Sequence, residues 1–264
     1  ELVSKEDVIA FLTYAKQLNM NKVTLSGGDP LSREDIMELL VDIKKLGYYI
    51  NMDTVGTPIF FSAQTITNRE NFVNKIDIVQ LTKYVDILGI ALDGSSSEVM
   101  SKFRKGRPNI YEEQMTILKI LDKIGSRVSI NTVVHKQNIH DIESMLPVVS
   151  SFRNITGWQL FQYMPIGELG YRNRQYFEIS EEEFESVKST ITSKRKEFLD
   201  GKKIEFKSYK EREKIYTLIG SDGTAYIPAE NGIVHIGNIK NKEDYEKIMV
   251  SIKSSNIYRK SKIL

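Results

Sequence analysis

Apolar residues in the first half of this chain recur in two alternating rhythms. Val8, Phe11, Leu12, Ala15 and Leu18 fall at helical spacing behind Ser4, a good N-cap with Asp7 three residues on. A run of β-formers over 22–26 follows, then a helix over 33–46 with Ile36, Leu39, Leu40 and Ile43 on one face, stopped by Gly47. Tyr48 to Thr54 reads as a strand, a long connection covers 57–68, and a helix runs to about Lys83. Residues 87–92, Ile-Leu-Gly-Ile-Ala-Leu, form an almost wholly apolar strand of the kind buried on both faces. A helix over 111–124 stopped by Gly125, a strand over 128–134, a helix over 140–151 and a strand over 158–164 complete the series. Strands alternating with helices predict a parallel sheet, either a partial or full β/α barrel or a doubly wound α/β sheet.

Beyond Glu178 the pattern changes. A charged amphipathic helix over 181–199 precedes short strands at 203–207 and 234–236, a hairpin turned by Ser221-Asp222-Gly223, and a surface helix with a basic tail over 241–260. The strands read as antiparallel, so the expected division is a β/α core over 1–178 and a smaller α+β extension over 179–264.

Ligands of parallel β/α sheets sit at the C-terminal ends of the strands. The strands deliver there, in order, Gly27-Gly28-Asp29-Pro30; Asp53-Thr54; Asp93-Gly94-Ser95; Asn131-Thr132 and His135; and Gln162 with Pro165-Ile166-Gly167. Each has a plain reading: a glycine turn, an Asp capping the helix behind it, an Asp-Gly turn. Five such ends at one rim are more than sheet closure needs. Arg104, Lys105 and Arg107 follow Ser95, as a solvated cluster or as anion binders. His135 is a candidate general base or a structural histidine. No His or carboxylate spacing makes a metal site, and neither a P-loop nor a G-x-G-x-x-G fingerprint is present.

Composition narrows the classes. Lys and Arg number 37 against 35 Asp and Glu, a net charge of +2, so no strong general field favours nucleic acid or an anionic membrane. No stretch approaches the roughly 20 apolar residues of a membrane helix and no signal segment opens the chain, so a cytoplasmic location is expected. The 264 residues contain no cysteine, which excludes disulfides, thiolate nucleophiles and cysteine-held iron-sulfur clusters within them. The chain opens at Glu1, without Met and at the approach to a helix, as a portion of something longer would.

The rim residues resemble the radical S-adenosylmethionine (SAM) superfamily. Val23-Thr24-Leu25-Ser26-Gly27-Gly28-Asp29-Pro30-Leu31 is similar to that family's strand and GGEP turn, with Asp29 in place of Glu. Residues 84–93, 103–107, 130–134 with Asn138, and 158–162 follow in the family's order, most like the branch that contains viperin. The resemblance implies a partial (β/α)6-type barrel lacking its first strand, in which SAM and a [4Fe-4S] cluster occupy the strand C-termini. A 5′-deoxyadenosyl radical made from SAM would abstract hydrogen from a peptide or a nucleotide-like small molecule, with a reductase or flavodoxin-type protein as electron donor. By resemblance, backbone carbonyls of Gly27, Gly28 and Asp29 would meet the SAM ammonium, and Pro30 shapes that turn. Arg104 would hold the methionyl carboxylate, and Asp53, Thr54 or Asn131 the ribose. Ile166 would meet adenine through its backbone, and Asp93, Ser95 and Gln162 complete the expected cofactor rim. The family's CxxxCxxC loop is expected upstream of Glu1. Ser129 stands where viperin has a lysine for the nucleotide triphosphate, and 222–228 with 236–239 resemble the extension of peptide-modifying members without its cysteines.

Two competing readings remain: a SAM- or ligand-binding module without a cluster, and an unrelated β/α barrel hydrolase or aldolase. For the second, Asp29, Asp53 and Asp93 could supply carboxylates, but no strand presents a lysine.

Overall fold

β-formers and helical faces alternate as the sequence predicts, and in the computed structural model they assemble into a six-stranded sheet. The model describes residues 2–60, 63–64, 72–73, 75–165, 167–212, 216–229 and 232–254. Its strands are β1 (Lys22–Leu25), β2 (Tyr49–Thr54), β3 (Ala63–Gln64), β4 (Phe72–Val73), β5 (Ile87–Ala91), β6 (Val128–Val134), β7 (Ile155–Gln162), β8 (Lys203–Lys207), β9 (Leu218–Ile219), β10 (Thr224–Ala229) and β11 (Gly232–Asn238). The main sheet has the order β1-β2-β5-β6-β7-β8 and is parallel at each junction from β2 to β8. Helices Ile110–Ile124 and Leu146–Ser151 lie in the connections between its strands. This is the half-barrel of a partial β/α fold.

Three sequence expectations change. Residues 203–207, read as antiparallel, pair in parallel with β7 from Gly157↔Lys203 to Phe161↔Lys207. The helix expected to reach Lys83 is limited to Ile78–Leu81, with Asp77 capping Val79 and Gln80; upstream, β3 pairs antiparallel with β4. The helix over 181–199 breaks at Lys194 into Glu181–Ser193, which opens on a Ser180/Glu183 capping box, and Arg195–Phe198.

The chain divides into two compact units. The larger comprises 24–36 and 50–209, and contains nearly all of the main sheet. The smaller comprises 1–23, 37–49 and 210–264. Its core gathers Val3, Phe11, Ala15, Ala225, Ile239, Tyr245, Ile248 and Met249, with the Phe11 and Tyr245 rings edge to face at 5.2 Å. Its β9–β10–β11 sheet is turned at Ser221-Asp222-Gly223, where the Asp222 carboxylate accepts from Thr224 N and Oγ1.

Within the larger unit, alternation gives the sheet two unlike faces. Ile50, Met52, Leu88, Ile90, Val128, Ile130, Trp158 and Leu160 point one way, each at most 1% exposed. Their neighbours Asp53, Gly89, Ser129, Asn131, Gly157, Gln159, Glu205 and Lys207 point the other, and only Gly89 and Ser129 of these are fully buried.

Candidate functional site

Strand pairing lines up this inner face in rows. Asp53, Gly89, Ser129, Gly157 and Lys203 are successive partners across β2 to β8; Ala91, Asn131, Gln159 and Glu205 form the next row; Val133, Phe161 and Lys207 form the one nearest the C-terminal ends. A fully parallel sheet has apolar residues on both faces when both are covered by protein. Here the inner face carries carboxylates, amides and lysines.

Gly89 makes the first contact in the array possible. Asn131 Nδ2 donates to Asp53 Oδ1 at 2.7 Å, across the intervening strand. A methyl group at Gly89 would lie 2.0 Å from that oxygen and 2.6 Å from that nitrogen, so only glycine leaves the gap through which β2 and β6 join. Because the Asn131 nitrogen must face a carboxylate, its oxygen turns away, and Oδ1 is buried without a hydrogen-bond partner. Burial pushes the Asp53 carboxyl above its ordinary range, against hydrogen bonds from Asn131 and Ser26 and the charge of Lys207.

The glycine turn closes the same end of the sheet. Gly27 has φ +108°, and no atom lies within 4 Å of where a Cβ would stand at Gly27 or Gly28. Asp29 holds the turn: its carboxylate accepts from Leu31 N at 3.1 Å, Thr54 Oγ1 at 2.7 Å and Val55 N at 3.0 Å. Thr54 Oγ1 in turn accepts from Gly56 N. Pro30 opens the short 3-10 turn that Asp29 caps. Asp29 and Thr54 thus fasten the exits of β1 and β2 to each other.

The third strand's exit is also braced. Asp93 is wholly buried and accepts from Arg104 Nε at 2.7 Å and Val133 N at 2.8 Å. Asn138 donates to the carbonyls of Asp93 and Val133. The Asp93 bond sets the plane of the Arg104 guanidinium through Nε and leaves the edge formed by its two Nη groups pointing elsewhere. Ser95 donates through N and Oγ to the Asp141 carboxylate, both at 2.6 Å. Arg107 pairs with Glu113 and donates to Thr57, and Lys105 is exposed.

Gln162 is on the outer face, donating to Ile179 O and accepting from Tyr209 N. Ile166 lies outside the described residues. His135 is fully buried beside Phe103 and Phe177, with ring centroids 4.7 and 5.3 Å away. Its Nδ1 accepts from Gln137 N, so the proton is on Nε2, which has no partner, and burial pushes the ring down to about 4. A neutral histidine sealed among aromatics is a structural residue, not a rim base.

The inner side of β7 and β8 carries a polar series outside the rim residues expected from sequence. Gln159 Nε2 donates to Ser129 Oγ at 3.1 Å and Lys207 Nζ donates to Gln159 Oε1. Glu205 pairs with Lys203 at 2.7 Å and Lys207 at 3.7 Å, and Nζ of Lys207 sits 4.8 Å from the Phe161 ring centre. A strand therefore does present lysines to the inner face, contrary to expectation. The polar alternation of Lys203, Glu205 and Lys207 was the available signal.

These residues fit SAM. The open glycine turn offers backbone carbonyls to an ammonium, and Asn131 Oδ1 is an acceptor still lacking a donor. They do not fit an iron-sulfur cluster. The chain has no cysteine, and among the described residues no group of three or more His, Asp or Glu could hold a metal. Among the described residues, too, no helix is long and apolar enough to cross a membrane.

Comparison with known proteins agrees with this fold. The family model described as the radical SAM superfamily matches residues 1–147. An AdoMet-dependent heme synthase of Oleidesulfovibrio alaskensis is 24% identical over 185 residues, 70% of this chain and 43% of that protein. A PqqA peptide cyclase of Methylorubrum populi is 26% identical over 136 residues, 51% of this chain and 32% of that protein. The chain therefore spans less than half the length of these curated relatives. The crystal structure of Streptococcus suis SuiB bound to S-adenosylmethionine superposes with a TM-score of 0.66 at 16% identity, over 92% of this chain and 58% of that one, a likeness of fold. These relatives are heme-synthase and peptide-cyclase proteins, so they support the superfamily and not the viperin-like branch in particular. Matched by its family model over more than half its length, the chain belongs to the radical SAM superfamily.

Proposed function

We propose that the whole protein is a radical SAM enzyme acting on a peptide, with SAM held by this chain at the exits of β1, β2, β5 and β6. The observation that carries the reading is the Asp53–Asn131 bond through the Gly89 gap, which leaves a buried acceptor facing the inner side of the sheet. When bound, SAM supplies the 5′-deoxyadenosyl group from which this superfamily draws its hydrogen-abstracting radical.

The chain's own residues bind and orient. Carbonyls of the Gly27-Gly28-Asp29 turn accept from the SAM ammonium, with Asp29 and Thr54 holding that turn rigid. Asn131 Oδ1 takes a ribose hydroxyl, and Asp53 fixes the amide that presents it. Arg104, its plane set by Asp93 through Nε, turns its Nη groups to the methionyl carboxylate. Ser95 and Gln162 act indirectly, each bracing a loop or strand end. Cluster ligands would come from residues outside these 264, and electrons from a separate reductase or flavodoxin-type donor. The heme synthase relative is named as AdoMet-dependent; the peptide cyclase, and the structure of SuiB bound to its precursor peptide SuiA, favour a peptide substrate.

The test has two arms. The coding sequence ahead of Glu1 is expected to contain CxxxCxxC; its lack there would leave a SAM-binding module without a cluster. Full-length protein with reconstituted iron and sulfide, assayed anaerobically with SAM and a reductant, is expected to release 5′-deoxyadenosine. A loaded cluster without that product would sink the reading.

A further inference from the structure

The SAM reading gives the methionyl carboxylate to Arg104, a residue at the end of its element. Arg104 is the first residue past helix Ser97–Phe103, with φ −91° and ψ 62°, and the chain beyond it is exposed at Lys105 and Gly106. Asp93 holds the head of the side chain through Nε. An arginine side chain has many rotamers, so a single bond at Nε sets the guanidinium plane and not the place from which the side chain starts.

That starting place is set by the neighbouring ring. Phe103 packs on the His135 imidazole with centroids 4.7 Å apart and planes tilted by 33°, and it meets Phe177 edge to face at 5.1 Å. The Phe103 ring centre is 5.3 Å from the Arg104 guanidinium carbon, within the range of a cation–π attraction. His135 comes from the exit of β6 and is itself fixed. Its N donates to Asn138 Oδ1 at 2.8 Å, its Nδ1 accepts from Gln137 N at 3.2 Å, and Phe177 closes on its ring at 5.3 Å. Asn138 also donates to the Asp93 carbonyl at 2.8 Å. Residues 135–138 therefore govern both ends of the Arg104 side chain, its root through Phe103 and its head through Asp93. Burial keeps the imidazole uncharged, so it does not repel the guanidinium.

We propose that His135 and Phe103 are positioning residues for SAM: their packed rings fix the root of Arg104 so that its Nη groups meet the methionyl carboxylate. This rests on the SAM reading above and deepens it.

Full-length, cluster-loaded protein titrated anaerobically with SAM and with decarboxylated SAM tests it, because the two ligands differ only in the carboxylate. The readout is the ratio of their Kd values. A variant that merely lowers the folded fraction weakens both ligands alike, and the ratio cancels that loss. In Arg104→Ala the preference for SAM is expected to fall about tenfold, as loss of a charged hydrogen-bonded pair implies. In His135→Ala it should fall about threefold, the cost of ordering one arginine side chain on binding. His135→Phe keeps a ring under Phe103 and should keep the parent ratio. Phe103→Leu should lower the ratio as His135→Ala does, and it tests the packing even if His135→Ala fails to fold. An unchanged ratio in folded His135→Ala or Phe103→Leu, with the ratio lowered in Arg104→Ala, overturns this proposal alone. So does a ratio that falls as far in His135→Phe as in His135→Ala. An unchanged ratio in Arg104→Ala removes Arg104 from the carboxylate and this proposal with it, whereas a parent protein that binds no SAM defeats the broader reading.

Discussion

The outer and inner faces of the main sheet are built from the same strands, one residue apart, and they treat polar groups in opposite ways. On the outer face Trp158 Nε1 donates to Thr132 Oγ1 at 2.9 Å and Thr132 donates to Leu92 O at 2.6 Å, so each polar atom is absorbed into the core. On the inner face Asn131 keeps an acceptor without a donor. A buried, fully paired group stabilises the fold it sits in; an acceptor left incomplete beside an open glycine turn leaves a place for a ligand's donor. The outer face answers to stability and, on the function proposed above, the inner face to binding.

That division can be broken by experiment. Trp158→Ala on the outer face should cost about 4 kcal/mol in denaturant unfolding, while the Kd for SAM of the molecules that remain folded stays unchanged; weakened SAM affinity in the folded fraction would mean that the faces are not separable. Gly89→Ala on the inner face puts a methyl 2.0 Å from Asp53 Oδ1. It should cost about 2 kcal/mol as an overpacked site and lower SAM affinity about tenfold or more, since the Asn131 amide loses its anchor. An affinity within error of the parent would remove Asn131 from the site.

Two smaller effects concern protons. His135 is neutral in the fold, with its ring held down at about 4 against 6.5 for an ordinary histidine. The unfolded chain therefore takes up a proton first, and the stability that this residue contributes is present above pH 6.5 and lost as pH falls toward 4. Between pH 7 and 5 the loss should be about 2 kcal/mol, and His135→Phe should flatten that limb of the unfolding curve. Asp53 runs the other way. Its carboxyl is raised by burial, so the fold is favoured with Asp53 protonated, and stability falls as pH rises through the ordinary carboxylate range. Asp53→Asn should raise Tm slightly at pH 7 while weakening SAM binding, and a lowered Tm would show that the buried charge is net stabilising.

How legible this was differs strand by strand. The Gly27-Gly28 turn, Asp53 and Asn131 stood out because strand ends in a parallel sheet are where polar residues need a reason. Lys207 did not, because the alternation in Lys-Ile-Glu-Phe-Lys also describes an antiparallel strand with one wet face. The inner face of a half-barrel is wet or ligand-filled, so a parallel edge strand carries the same pattern. Arg104 and Asp93 were both visible, but their bond across 11 residues was not, since nothing in residue type says which of several carboxylates an arginine will meet. The helix expected up to Lys83 followed apolar spacing alone, and among the described residues only Ile78–Leu81 keeps helical form.

The sheet's spatial order, β1-β2-β5-β6-β7-β8, follows the order of the chain once the β3–β4 pair is set aside. Each new strand can therefore add to an edge already formed by its predecessor, without threading back between earlier ones, which keeps the sequence separation of partners short for a parallel sheet. On a ribosome such a sheet grows in one direction. The residues of the glycine turn and of the Asp53–Asn131 tie leave the ribosome before β8, whose Lys207 follows them in the chain. The strands that carry the proposed cofactor lip therefore precede the strand that closes the β7–β8 edge in order of synthesis.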